Sequence, residues 1–523
     1  MANAPPPGDD WFSNLFGFAE TNYKEAQRLL RVVPSAAHPG STMIESLVTG
    51  ASFNAGTFST PSLAELRAAG SKAAAQLPGS LKVCNELGDV AKKHAQAENR
   101  FATFQVASQF NCLEFVGPDV IPEQGITKYI YDRTQGPACS IACGPATAYR
   151  NYFAPVRRGN SCVEGQTRQC QIDNLADFSK AVGNSPQGKL FEVRNGYTLA
   201  DAARLRKLDQ ELMRLTEENK LDEARATLRI GVHQDVQVTS FDWGRSRVKA
   251  PEQLVTQVFG SACSVAYNRG ADSKSWRNLA SIILEASYEA TLWAAVLNAH
   301  KHRGEHGSRR VFLTCLGGGV FGNSMSWIMQ AMRRAFSLCR HCDLDIRIIT
   351  YAGQIDPQLV AIEQEFAACV PKSLATKRDR EEESYAAEEK RLKSSEASMT
   401  TKNVVAKTDA SFCEASKAFV ETSPPTKTST KSTTSVLESP PKDQICQTSA
   451  KRSRGKGGNE KKSVALEDAI LQEAEKLGLA GPLKNLASRP EFVSGKVSQL
   501  AMLDALKRTD GLVNKAKHVL LSA

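Results

Sequence analysis

The stretch Arg310-Val-Phe-Leu-Thr-Cys-Leu-Gly-Gly-Gly-Val-Phe-Gly-Asn323 constrains the chain more than any other. The apolar run from Val311 to Leu316 has the length of a buried strand, and Gly317, Gly318 and Gly319 follow it directly. From Ser324 to Leu338 apolar residues recur at helical spacing, at Trp327, Ile328, Ala331, Met332 and Ala335. A strand that passes through a glycine loop into a helix turns backbone amides and the positive end of the helix dipole toward one point, which suits a phosphate. The same glycines also suit a turn that only lets strand and helix pack closely.

Further strands are expected at Phe104 to Phe110, Gly231 to Ser240, Leu254 to Tyr267 and Leu344 to Tyr351. Helices are expected at Cys143 to Tyr152 and Ser275 to Asn298, with a helical hairpin from Leu199 to Leu228 turned at Asn219 and Lys220. Strands alternating with helices predict an α/β fold, a mixed or parallel sheet covered on both faces. Ligands of such sheets sit at the carboxyl ends of the strands, where Gly317 to Asn323 falls.

At 523 residues, 41% of them hydrophobic, the chain can build two or three domains and at least one sizeable core. No continuous apolar run approaches the roughly 20 residues of a membrane span. The N-terminus lacks the basic-then-apolar layout of a secretory signal. The 13 cysteines are scattered, and Cys84, Cys112, Cys263 and Cys315 lie in apolar surroundings that suit reduced thiols. An intracellular protein, cytoplasmic or nuclear, is expected.

The charge is uneven. Residues 371–523 carry 27 Lys and Arg against 20 Asp and Glu, so +7 of the net +10 lies there. Nucleic acid is therefore expected only at the basic cluster Lys451-Arg-Ser-Arg-Gly-Lys456 with Lys461 and Lys462, which equally fits a nuclear-import signal or a solvated linker. Four regions follow: residues 1–100 as an extension packing on the body, 101–370 as the body with a helical insertion near 199–229, 371–462 as a charged linker, and 463–523 as a small helical module. The linker has too few apolar residues to offset its ordering entropy and is expected to be disordered, apart from a helix in Lys377 to Lys393. In the module, Leu466, Ile470, Ala474 and Leu477, then Met502, Leu503 and Leu506, then Val513, Ala516 and Leu520, read as short helices suited to docking a protein partner.

A second constellation lies upstream. In Phe104-Gln-Val-Ala-Ser-Gln-Phe-Asn-Cys-Leu-Glu114 the polar Gln109, Asn111 and Glu114 gather at a strand exit, and Thr134-Gln-Gly-Pro-Ala-Cys139 reads as a glycine turn opening a helix of small residues. Side-chain amides at Gln109, Asn111 and Gln135 suit ribose hydroxyls, although Gln109 and Asn111 also suit capping of the strand end, and Glu114 an exposed helix start. Cys339-Arg-His-Cys342 has zinc-like spacing, but Cys162 and Cys170 form a loose second pair, so no metal is expected. Cys139 at a helix start has no histidine nearby in sequence, and no nucleophile-elbow phrase supports a serine.

Together these pieces resemble a macrodomain, the ADP-ribose-binding fold, over roughly residues 100 to 355. They also resemble an uncharacterised macrodomain-like group that carries the phrases Phe104-Gln-Val-Ala-Ser-Gln-Phe-Asn111, Thr134-Gln-Gly-Pro-Ala-Cys139 and Tyr149-Arg-Asn-Tyr152. The resemblance implies ADP-ribose or a related nucleotide diphosphate as ligand, held by Gln109, Asn111, Gln135, Gly136, Gly317, Gly318, Gly319, Val320, Phe321, Gly322 and Asn323, with Phe321 packing on the distal ribose. It implies no cofactor. The first loop departs from the glycine run followed by an acid of hydrolytic macrodomains, and the chain has no tandem Gln-Glu-Glu of the poly(ADP-ribose) glycohydrolase type. A hydrolase would then draw its acid from Glu114 or Asp132. The alternative is a non-enzymatic scaffold that keeps the fold.

Overall fold

The computed structural model describes residues 10–367, apart from 38, 159, 160, 269 and 352, and in the C-terminal stretch 468–477, 479, 483, 486, 487, 497–508 and 520. The chain divides into two compact units, Met1–Ser411 and Phe412–Ala523. The expected linker over 371–462 and its helix at Lys377 to Lys393 lie outside the described residues.

The first unit is an α/β fold around a nine-stranded sheet. In chain order its strands are β1 (Leu30–Pro34), β2 (Thr42–Ser46), β3 (Ser52–Ser59), β4 (Lys82–Leu87), β5 (Thr103–Ser108), β6 (Gly231–Gln237), β7 (Leu254–Ser261), β8 (Arg310–Leu313) and β9 (Asp345–Thr350). They lie side by side as β1-β2-β3-β6-β7-β5-β8-β9-β4. The half from β1 to β7 pairs antiparallel, and β7, β5, β8, β9 and β4 pair parallel. Residues 1–100, expected as an extension, instead supply four strands of this sheet, one of them the far parallel edge. Their short, partly polar runs carry little of the alternation that marks a strand.

The other expected strands form, each cut short at its carboxyl end. Leu254 to Tyr267 leaves the sheet after Ser261, and Val311 to Leu316 after Leu313. Of the residues trimmed from the strands, Gln109, Ala262, Tyr267, Thr314, Cys315 and Leu316 line the cavity described below. The hairpin helices span Ala202–Glu217 and Leu221–Ala226, with Asn219 at φ +57° making the turn.

The core helix Arg277–Lys301 is buried along nearly its whole length, by Leu284, Tyr288 and Leu292 among others. By length and composition it is apolar enough to cross a bilayer, and burial inside this fold accounts for its apolar character. The helix Leu63–Gln76, opened by a Ser62/Glu65 capping box, crosses it so closely at Gly70 that a Cβ there would lie 2.6 Å from the Trp293 ring. On the core helix the buried Glu289 accepts from Arg67 (2.5 Å) and from Arg334, which tie in the helices Leu63–Gln76 and Met325–Leu338. The helix after the glycine loop is thus anchored by charge as well as by its apolar face.

In the second unit, helices Asp468–Lys476 and Gln499–Arg508 share a small core of Ala474, Leu483, Leu486, Met502, Leu503 and Leu506. The expected helical positions Leu466, Val513 and Ala516 lie outside the described residues.

Candidate functional site

Strands β7, β5 and β8 are parallel neighbours, so their carboxyl ends open at one edge of the sheet. A cavity of about 200 Å³ lies there. One wall is the β5 exit (Ala107, Ser108, Gln109), another the turn and helix start at Asp132, Thr134, Gln135 and Pro137, and a third the glycine loop from Thr314 onward. Tyr197 and Tyr267 close the remaining side.

The glycine loop is fixed at its root and across its neck. The Tyr288 hydroxyl donates to the Thr314 carbonyl (2.6 Å) and accepts from the Leu316 amide (2.9 Å). The Asn323 side chain donates to the carbonyls of Cys263 (2.7 Å) and Gly317 (3.2 Å), and its backbone amide also donates to Gly317 (3.0 Å). Gly317 sits at φ +72° with Ala262 Cβ only 2.5 Å from where its own Cβ would be, so only glycine fits. Among the described residues, the amides of Gly319, Val320 and Phe321 donate to no protein acceptor. Gly319 faces open space, and Val320 is exposed. The Phe321 ring is buried against Tyr197 and Tyr267, with centroids 5.3 and 5.7 Å away.

Asp132 is the one carboxylate that lines the cavity among the described residues. It ends a short helix, Thr127–Tyr131, its amide donating to the Tyr129 carbonyl (3.1 Å). Burial holds its carboxyl above the usual aspartate range, and the bonds from Thr134 only partly oppose this.

Glu114, expected beside Asp132 as an acid, does not reach the cavity. It is fully buried, accepting from the hydroxyls of Ser108 (2.9 Å) and Ser140 (2.7 Å), with Arg150 at 3.6 Å. Burial raises its carboxyl, and the Arg150 charge and the two hydroxyls pull against that. Arg150, itself buried, also donates to the Cys112 carbonyl (3.0 Å) and lies over the Phe259 ring. Glu114 belongs to a polar core that backs the Ser108 wall.

The expected amides divide in the same way. Gln109 lines the cavity, but its side-chain oxygen accepts from the Phe115 amide (3.1 Å). Asn111 lies behind the cavity, accepting from Leu113 and donating to Gln171. Gln135 spends both ends on β5: its oxygen accepts from Ala107 (2.8 Å) and its nitrogen donates to Gln105 (2.7 Å). A Cβ at Gly136 would lie 1.9 Å from the Ala107 carbonyl, so that glycine serves helix-to-strand packing. Gly318 faces Ile328, Gly322 at φ +74° faces Ala266, and Asn323 is buried as the loop's clasp, so these three shape the loop without lining the cavity.

The sequence reading missed Tyr197 and Tyr267. Tyr197 follows an Asn195-Gly196 pair, a strong hairpin signal, and it opens the second strand of the hairpin Glu192–Arg194 with Tyr197–Leu199. The Cys139 thiol is buried and pushed well above its ordinary value, while Cys315, on the cavity wall, is raised by burial to about 11. Both are neutral thiols, poor as nucleophiles.

The fold and the site together define an α/β protein with a cavity at the carboxyl ends of its parallel strands. No protein-family model matches the chain, and no curated protein matches it. Among solved structures it is similar to poly(ADP-ribose) glycohydrolase from Thermomonospora curvata bound to the inhibitor ADP-HPD, at 12% identity over 66% of this chain and 96% of that one, with a TM-score of 0.30. It is also similar to poly(ADP-ribose) glycohydrolase from Deinococcus radiodurans in complex with ADP-ribose, at 11% identity over 60% of this chain and 94% of that one, with a TM-score of 0.31.

Proposed function

We propose that the cavity binds ADP-ribose or an ADP-ribosyl group, and that the protein hydrolyses the bond joining such a group to its carrier. The observation that carries this reading is one carboxyl group, Asp132, whose hold on its proton is strengthened by burial, sharing the cavity with a glycine loop that has uncommitted amides. In this reading the amides of Gly319, Val320 and Phe321 take the diphosphate, and the ring of Phe321 packs on the ribose. A cavity of about 200 Å³ is smaller than the roughly 300–1,000 Å³ of typical small-molecule sites, so it encloses the phosphate and ribose end while the base stays at the mouth.

The chemistry follows from that placement. Asp132 gives its proton to the departing oxygen as the bond from the anomeric carbon breaks, and the electron pair leaves with that oxygen. Water then adds to the anomeric carbon and its proton returns to Asp132, so the carrier is released with a hydroxyl and the acid is restored. The withdrawal of Glu114 from the cavity favours a second reading, a binding protein without turnover, because glycosidic hydrolysis ordinarily uses two carboxyl groups.

Incubation of the full chain with ADP-ribosylated protein tests the choice. Hydrolysis predicts free ADP-ribose, reduced about 100-fold or more by Asp132→Asn with little change in ligand affinity. Binding without any release leaves the second reading.

A further inference from the structure

The first amides of a helix have no partner within it, and a carboxylate is the strongest side-chain acceptor for them. The short helix that ends at Asp132 receives such a carboxylate from far away in the chain. Glu20 accepts from the amides of Ile126 (2.9 Å) and Thr127 (2.7 Å), and the Tyr152 hydroxyl donates to the same carboxylate. The Trp11 indole donates to the Thr127 carbonyl (3.2 Å), so the N-terminal segment holds this residue by both of its backbone groups. Gly125, at φ +82°, makes room: a Cβ there would lie 2.4 Å from Glu20 Oε2. At the middle of the same helix the Tyr129 hydroxyl accepts from the Glu114 amide (2.9 Å), and at its end the Asp132 amide caps onto the Tyr129 carbonyl.

Resting on the proposed role of Asp132, we propose that Glu20 is a positioning residue that fixes the Thr127–Tyr131 helix and thereby sets where the Asp132 carboxyl stands in the cavity. An anchored start and a capped end leave this helix little freedom, so loosening its start carries Asp132 toward solvent. Tyr267 and Tyr197 share the cavity with Asp132, their hydroxyls donating to the Val116 and Phe115 carbonyls, and Thr134 bonds Asp132 from its own turn; Tyr152 is the titratable group on Glu20. Replacing Glu20 by glutamine sets an NH₂ donor against an amide donor while leaving all of these in place.

The test is the carboxyl titration of Asp132 in the ligand-free full chain, followed by carbon-13 NMR and assigned by its loss in Asp132→Asn. Glu20→Gln is expected to lower the Asp132 midpoint by about 0.5 unit or more, toward the ordinary aspartate value. Where turnover is measurable, kcat is expected to fall about 10-fold or more while KM changes less than about 3-fold. Trp11→Phe, which keeps the ring and removes only the indole donor, is expected to shift the midpoint in the same direction by less, and it serves if Glu20→Gln does not fold. An unmoved midpoint in the folded variants overturns the proposal. A wild type that binds ADP-ribose but releases none refutes the hydrolytic reading, and the titration still judges the positioning.

Discussion

The Gln135 side chain pairs with β5 at Ala107 as a neighbouring strand would, accepting the Ala107 amide at 2.8 Å while its nitrogen donates to the Gln105 carbonyl at 2.7 Å. β8 pairs with β5 only at Thr103 and Phe104, so beyond that point the β5 edge has no strand beside it there. Gln135→Leu keeps the bulk and strips both bonds from a partly buried edge. A loss of about 2 to 4 kcal/mol is expected in urea unfolding, from two backbone groups left without partners. Full stability in the variant would show that water replaces the amide at no cost.

The proposed hydrolysis, with Asp132 as its acid, has a definite pH dependence. Its folded-state pKa is raised by burial, so the protonated form needed to donate a proton is present below that pKa and is lost as pH rises through it. Release of ADP-ribose is therefore expected to fall on the alkaline side, with a midpoint above the ordinary aspartate value of about 3.9. The residual turnover of Asp132→Asn should lack this limb. The pH profile of kcat for both proteins checks it.

The glycine loop separates binding from folding. Gly319 lines the cavity and a Cβ there meets nothing within 4 Å, so Gly319→Glu is expected to fold normally and to lose ADP-ribose binding, because a carboxylate then stands beside the amides proposed to take the diphosphate. Gly317→Ala forces a side chain onto a backbone at φ +72° and into Ala262, and should cost about 1 to 3 kcal/mol of stability. Thermal melts beside binding isotherms of the two variants make the comparison.

Glu289 predicts an acid-sensitive fold. Burial pulls its carboxyl up, but the bonds and charges of Arg67 and Arg334 outweigh this and leave it below its ordinary value. A depressed folded pKa adds stability above the unfolded value of about 4.3, and that part is lost as pH falls through the folded pKa. Glu289→Gln should cost about 2 kcal/mol at pH 7, less than a fully buried pair because both arginine heads reach solvent. The gap between variant and wild type should narrow in urea unfolding series taken to pH 3.

Much of this fold was legible in the sequence. The run Val311 to Leu316, the three glycines and the spacing after Ser324 located a strand, a loop and a helix, because apolar period and glycine content are local signals. Gly317, Gly319, Val320, Phe321, Gln109, Asp132 and Gln135 do line one cavity. What failed was side-chain direction: Glu114 and Asn111 sit at the right strand exit but turn into the core, which depends on Arg150 and Gln171 from distant segments. The part played by residues 1–100 was equally hidden. Nothing in the local sequence singles out Glu20, whose partners Ile126 and Thr127 lie more than a hundred residues away and are brought to it by the fold.

Titration calorimetry of the full chain with ADP-ribose tests the central claim most directly. Saturable one-to-one binding tighter than about 1 mM is expected, lost in Gly319→Glu and retained in Asp132→Asn. No heat of binding from the folded wild type at millimolar ADP-ribose would contradict it.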